Sequence, residues 1–157
     1  MESKYAPLSL KHQLCFPIYL CAKEIIRNYT PMLEKIDLTY TQYIVMMYFW
    51  EKGKSNVKEI GNTLLLDSST LTPLLKKLEA KGFITRVRSS DDERNLEINI
   101  TPKGLALRDQ ALSIPAQMCQ CINLSPEEAM ALHKLINKVL TNTQIQKEKK
   151  TNGNLGN

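Results

Sequence analysis

The chain has 157 residues, 43% of them hydrophobic, which fits one domain or one compact domain with a dimerisation element and is enough to bury a core. Its formal charge of +5 permits a polyanionic partner, although part of the excess sits in the tail from Lys147 to Lys150, so placement says more than the total. The opening MESKYAPLSLKHQ has no continuous apolar stretch and the most apolar run, Tyr43 to Trp50, is too short to span a bilayer; a cytoplasmic protein is expected, whose four cysteines stay reduced, which argues against a disulfide framework and leaves a transient redox role open.

In chain order, Leu14, Ile18, Cys21, Ala22, Ile25 and Tyr29 share one helical face, predicting a first helix from about Ser9 to Tyr29 with a kink at Pro17, close to Cys15. Thr30-Pro31 then reads as a connection and Met32 to Lys35 as a weak helical turn. Thr39 with Gln42 fits a capping box for a second helix to about Glu51, ended by Gly53, and Asn56 with Glu59 repeats the capping logic for a helix over Val57 to Leu64. Leu71, Leu74, Leu75 and Leu78 at i, i+3, i+4 and i+7 make the apolar stripe of another helix, closed by Gly82. Phe83 to Arg88 and the alternating Leu96 to Ile100 read as a two-stranded hairpin with the charged tip Ser89 to Arg94. Thr101-Pro102 opens a long helix to about Gln117, with Pro115 as a candidate interruption. Ser125-Pro126-Glu127-Glu128 caps a last helix whose apolar face is Met130, Leu132, Leu135, Ile136, Val139 and Leu140, before a polar tail over 147–157 expected to be disordered.

The fold class this order predicts is mainly α with a small β-hairpin wing: a winged helix-turn-helix over 53–101, flanked by helical dimerisation parts over 9–52 and 102–146 within a single 1–157 domain. The outer helices carry more apolar face than a small winged helix can cover, so an intertwined homodimer is expected, its two recognition helices meeting successive major grooves of a pseudo-palindromic duplex. The face opposite the leucine stripe offers Ser68, Ser69, Thr70, Thr72, Pro73, Lys76 and Lys77 to base edges and phosphates, and the wing offers Arg86, Arg88 and Arg94 to the backbone or a narrow minor groove.

The residues DSSTLTPLLKKLEAKGFITRVRSSDDERNLEINIT, with the Asp92-to-Arg94 tip followed by an alternating strand and T-x-K-G, closely resemble the recognition helix and wing of the MarR family of bacterial transcription regulators, in its organic-hydroperoxide and oxidation-sensing branch. QLCF at Gln13 to Phe16, Tyr29, and DLTYTQY at Asp37 to Tyr43 resemble that branch's sensing constellation, from which Pro17 departs. The resemblance implies that Cys15 is the peroxide-reactive thiol, that Tyr29 and Tyr40 are phenols reaching it across the dimer, and that Cys119 or Cys121 is the second cysteine of two-cysteine members. It implies a repressor that releases its operator on oxidation by an organic hydroperoxide or related oxidant, with a small thiol as another partner of the oxidised cysteine. Only a thiolate attacks a peroxide oxygen, and phenol donors favour that anion.

Against each reading stands a plainer one. A helical cysteine is commonly a small buried hydrophobe, Cys21 more so than Cys15, and Cys119 and Cys121 can both be structural. The trigger can instead be a small aromatic ligand bound between the dimer and winged parts. No enzyme is expected, for there is no CxxC, and no cofactor; Cys119-Gln120-Cys121 and the lone His12 and His133 lack zinc-ligand spacing.

Overall fold

The computed structural model describes residues 4–88 and 96–153, with side chains for 4–87 and 96–145. They divide into two compact units, Met1–Met118 and Cys119–Asn157.

The chain opens with two 3-10 turns, Ala6–Leu8 and Leu10–His12, and α1 runs Cys15–Glu34 rather than starting at Ser9. Ser9 and Gln13 are extended, and His12 Nδ1 at 3.0 Å and Gln13 Nε2 at 2.5 Å reach the carbonyls of Ala6 and Pro7, which supply these turns with local partners. A helix from Ser9 would hold Pro17 in its interior, at about 3 kcal/mol. Starting at Cys15 puts Pro17 on the third helical position, where no N–H is needed, so this proline breaks no intrahelical bond. Pro31 is instead the interior proline: α1 runs through it, so the predicted connection and weak turn are its last turns. The cost is one bond to the Arg27 carbonyl.

Asp37, with φ 53°, turns the chain into α2, Tyr40–Lys52. The predicted capping box is present in full: Thr39 Oγ1 accepts the Gln42 amide at 3.3 Å and Gln42 Oε1 accepts the Thr39 amide at 3.1 Å. After Gly53 comes β1, Lys54–Asn56, then α3, Val57–Leu64, capped by the Asn56 side chain at 2.9 Å. α4 spans Ser68–Ala80, capped by Asp67, and β2 (Ile84–Arg88) pairs antiparallel with β3 (Leu96–Ile100). The wing is thus part of a three-stranded sheet of order β1-β3-β2, with Ser55 opposite Ile98, where two strands were expected. Lys-Ser-Asn has neither the β-branched side chains nor the length to announce a strand; its pairing with β3 makes it one.

The predicted long helix is two. α5 covers Pro102–Ala111 and α6 Ile114–Ile122, because Pro115 cannot donate to the Ala111 carbonyl and crowds it. α7 runs Pro126–Gly153, so 147–153, expected as disordered tail, continues the helix. The Lys and Glu over 147–150 are good helix formers, and once a helix is nucleated each further residue adds a bond.

The core of the first unit gathers Leu33, Val45, Met46 and Phe49 from α1 and α2 with Ile60, the leucine stripe of α4, and Ile84 and Ile98 of the sheet. Leu71 and Leu78 are fully buried, as their spacing predicts. Among the described residues two apolar faces are not covered: Leu14 and Ile18, at the cap and on the first half of α1, and, in the second unit, Met130, Leu132, Leu135, Ile136, Val139 and Leu140 on α7.

Candidate nucleic-acid interface and thiol site

α4 turns its leucines inward, and this leaves Ser68, Ser69, Thr70, Thr72, Pro73, Lys76 and Lys77 all exposed. Some of their hydrogen-bonding capacity is used within the helix. The Thr72 hydroxyl donates to the Ser68 carbonyl at 2.7 Å and the Ser69 hydroxyl to the Asp67 carboxylate at 2.5 Å. That bond, followed by those from Thr70, holds the Asp67 carboxyl below its ordinary value and keeps the cap charged. Lys76 and Lys77 are exposed on the outer side of the helix.

Arg86 is placed otherwise. Its Nε and Nη2 donate to Glu79 Oε2 at 2.8 and 2.5 Å, and its amide donates to Glu79 Oε1 at 3.2 Å, so one carboxylate joins the last turn of α4 to β2. The Glu79 carboxyl is held below its ordinary value, chiefly by the hydrogen bond from Arg86. Sequence periodicity did not single out Glu79; its position on the helix flank just before β2 was the available signal. Arg88 closes β2, opposite Leu96, and its side chain, like all of Arg94, lies outside the described residues.

Tyr29 of α1 and Tyr40 of α2 come together, their rings 4.9 Å apart, with Tyr43 5.8 Å from Tyr29. Tyr43 is buried, and burial followed by the neighbouring Tyr40 raises its hydroxyl above the ordinary value, so it is core. Cys15 is exposed on the first turn of α1. Fourteen residues of helix separate it from Tyr29, about 21 Å at 1.5 Å per residue, so one chain does not bring its own thiol to its own phenol pair. Cys21 is exposed too, not in the core, and Cys119 and Cys121 are exposed on α6. Among the described residues no three His, Cys, Asp or Glu side chains gather as metal ligands.

A three-stranded sheet with a wing, an outward-facing helix N-terminal to it and a short capped helix before that define a winged helix-turn-helix protein. Residues 27–110 match the family described as transcriptional regulator SarA/Rot. The chain is 45% identical over 128 residues to the HTH-type transcriptional regulator SarZ of Staphylococcus saprophyticus, covering 82% of this chain and 88% of that one. It is 39% identical over 140 residues to the organic hydroperoxide resistance transcriptional regulator of Bacillus subtilis, covering 89% and 95%. Among solved structures, reduced AbfR bound to DNA superposes with a TM-score of 0.74 at 30% identity, over 90% of this chain and 99% of that one. Overoxidised AbfR bound to DNA gives 0.72 with the same identity and coverage. The chain belongs to the SarA/Rot family of transcriptional regulators, a MarR-like group.

Proposed function

We propose that the protein is a redox-sensing, DNA-binding transcription regulator that acts as a homodimeric repressor and leaves its operator when Cys15 is oxidised. The observation that carries this reading is the separation within one chain: an exposed thiol at one end of α1 and, about 21 Å further on, two phenols held ring to ring. A second copy running antiparallel along α1 would bring each thiol to the other's Tyr29 and Tyr40, and would cover the bare face of α1. A relative named for organic hydroperoxide resistance, and a structural neighbour solved on DNA in reduced and overoxidised forms, support the same chemistry.

In this reading the Cys15 thiolate attacks the terminal oxygen of an organic hydroperoxide; the O–O bond breaks, the sulfur becomes a sulfenic acid, and the alkoxide takes a proton and leaves as the alcohol. A second thiol, from Cys119, Cys121 or a small molecule, then displaces water to form a disulfide. The added bulk and the new tie shift the dimer to a state whose paired α4 helices no longer suit half-sites about 34 Å apart. Ser68, Ser69, Thr70, Thr72, Pro73, Lys76 and Lys77 meet the duplex with the wing, whose Arg88 and Arg94 lie in or beyond β2, while Arg86 holds the wing to α4 through Glu79.

A gel shift on the upstream region of the protein's own gene, with and without stoichiometric tert-butyl hydroperoxide, tests this on wild type and Cys15→Ser, alongside non-reducing electrophoresis. Wild type should release DNA on oxidation and the variant should not. Release by the oxidant-treated variant would remove Cys15 from the mechanism and favour a small aromatic effector.

A further inference from the structure

The segment that ends α4 is bound to the corner that carries the tyrosines. Lys81, the residue that closes α4, sends its ammonium to three acceptors on the α1–α2 corner: the Asp37 carbonyl, the Asp37 carboxylate at 2.9 Å and Gln42 Oε1 at 3.4 Å. Asp37 is the left-handed residue that makes the corner, and Gln42 is the buried member of the capping box that starts α2. Gln42 stands two residues after Tyr40 and next to Tyr43, so one acceptor of Lys81 shares the first turn of α2 with two of the three clustered phenols, and the other two acceptors, on Asp37, lie just before that turn. On its other side the Lys81 carbonyl accepts a bond from Lys103 Nζ at 2.8 Å, at the start of α5, and Lys103 lies over the Phe83 ring, 5.2 Å from its centre.

We propose that Lys81 is a positioning residue that sets the attitude of α4 from the α1–α2 corner and conveys displacement of the phenol cluster to the DNA-contacting helix. The proposal rests on the reading of α4 as that helix, but not on Cys15 as the trigger. Its physical basis is directional. A flexible lysine whose three acceptors sit on one corner follows that corner when it moves, and its backbone is the end of α4, so the shift is delivered there. The ion pair with Asp37, whose carboxylate is exposed while Lys81 is partly buried, contributes little to stability by itself, which separates a positioning role from a merely stabilising one. The coupling therefore resides in the geometry of the three bonds.

A double-mutant cycle on operator affinity of the reduced, full-length protein tests this, combining Tyr40→Leu with Lys81→Met and recording thermal midpoints in parallel. The expected result is non-additivity: Tyr40→Leu weakens binding in the presence of Lys81, and its effect shrinks by about three- to thirtyfold in Kd when Lys81 is already Met. Lys81→Arg, which keeps a cationic donor, should restore most of the Tyr40 effect, a rescue that loss of folding would not show. Additive effects on Kd, or a cycle that Lys81→Arg leaves as Lys81→Met does, would overturn the proposal. Failure of the redox reading shows separately, as wild-type affinity that hydroperoxide does not change while the cycle remains non-additive.

Discussion

Gly104 illustrates how one residue can hold two elements in place. A Cβ there would stand 2.1 Å from the Phe83 carbonyl oxygen and 3.1 Å from Ile100 Cγ1, and its own carbonyl accepts the Trp50 indole N–H at 2.8 Å. Backbone against backbone leaves no side chain to swing aside. Gly104→Ala should cost at least the roughly 3 kcal/mol at the top of the overpacking range, read as a lower urea midpoint. The Glu79–Arg86 pair makes a second residue-scale prediction. Because the Glu79 carboxyl titrates below its ordinary 4.5 in the folded chain, the pair contributes stability above that pH and loses it as pH falls through the lowered value. Stability of wild type relative to Arg86→Met should be constant from pH 7 to about 5.5 and shrink below 4.5; a difference that grew on acidification would contradict the assignment. Both side chains keep some solvent contact, so added salt should reduce the effect.

For the elements, capping and a single apolar stripe do most of the work. α3 has eight residues, too few to persist alone, and is held by the Asn56 cap at one end and Ile60 in the core. Asn56→Ala should lower stability by about 1 kcal/mol, measured by denaturant titration, without changing the salt dependence of DNA binding. α4 predicts the opposite pattern on its two faces. Leu75→Ala, in the core, should cost about 2–5 kcal/mol of stability. Lys76→Ala, exposed, should leave stability alone and reduce the slope of log affinity against log salt by about 0.9 if it neutralises one phosphate. An unchanged slope would take Lys76 off the DNA.

At the scale of the whole molecule, the bare faces of α1 and α7 are the largest fact left unused by a single chain. Leucine, isoleucine and valine side chains repeated along a helix face and exposed in one chain mark a surface that another copy or element covers. Light scattering behind size exclusion should give the mass of two chains, and Leu135→Asp with Ile136→Asp should shift it toward one chain while weakening operator binding. A wild-type mass of one chain would end the two-copy account of Cys15 and the tyrosines.

What the sequence by itself determined was local: the Thr39, Asn56 and Thr101 caps, the buried stripe of α4, the glycine stops and the alternation of β3 all depend on residues within a turn or a strand of one another. Its composition and motif order were enough for the winged helix-turn-helix class. Tertiary structure alone decided the rest. It made a strand of Lys54–Asn56 by pairing it with a partner more than forty residues away. It placed Lys81 on the Asp37–Gln42 corner and brought the Trp50 indole to the Gly104 carbonyl. Such contacts form between segments distant along the chain, and their free energy depends on packing and on hydrogen-bond partners that no window of neighbouring residues contains.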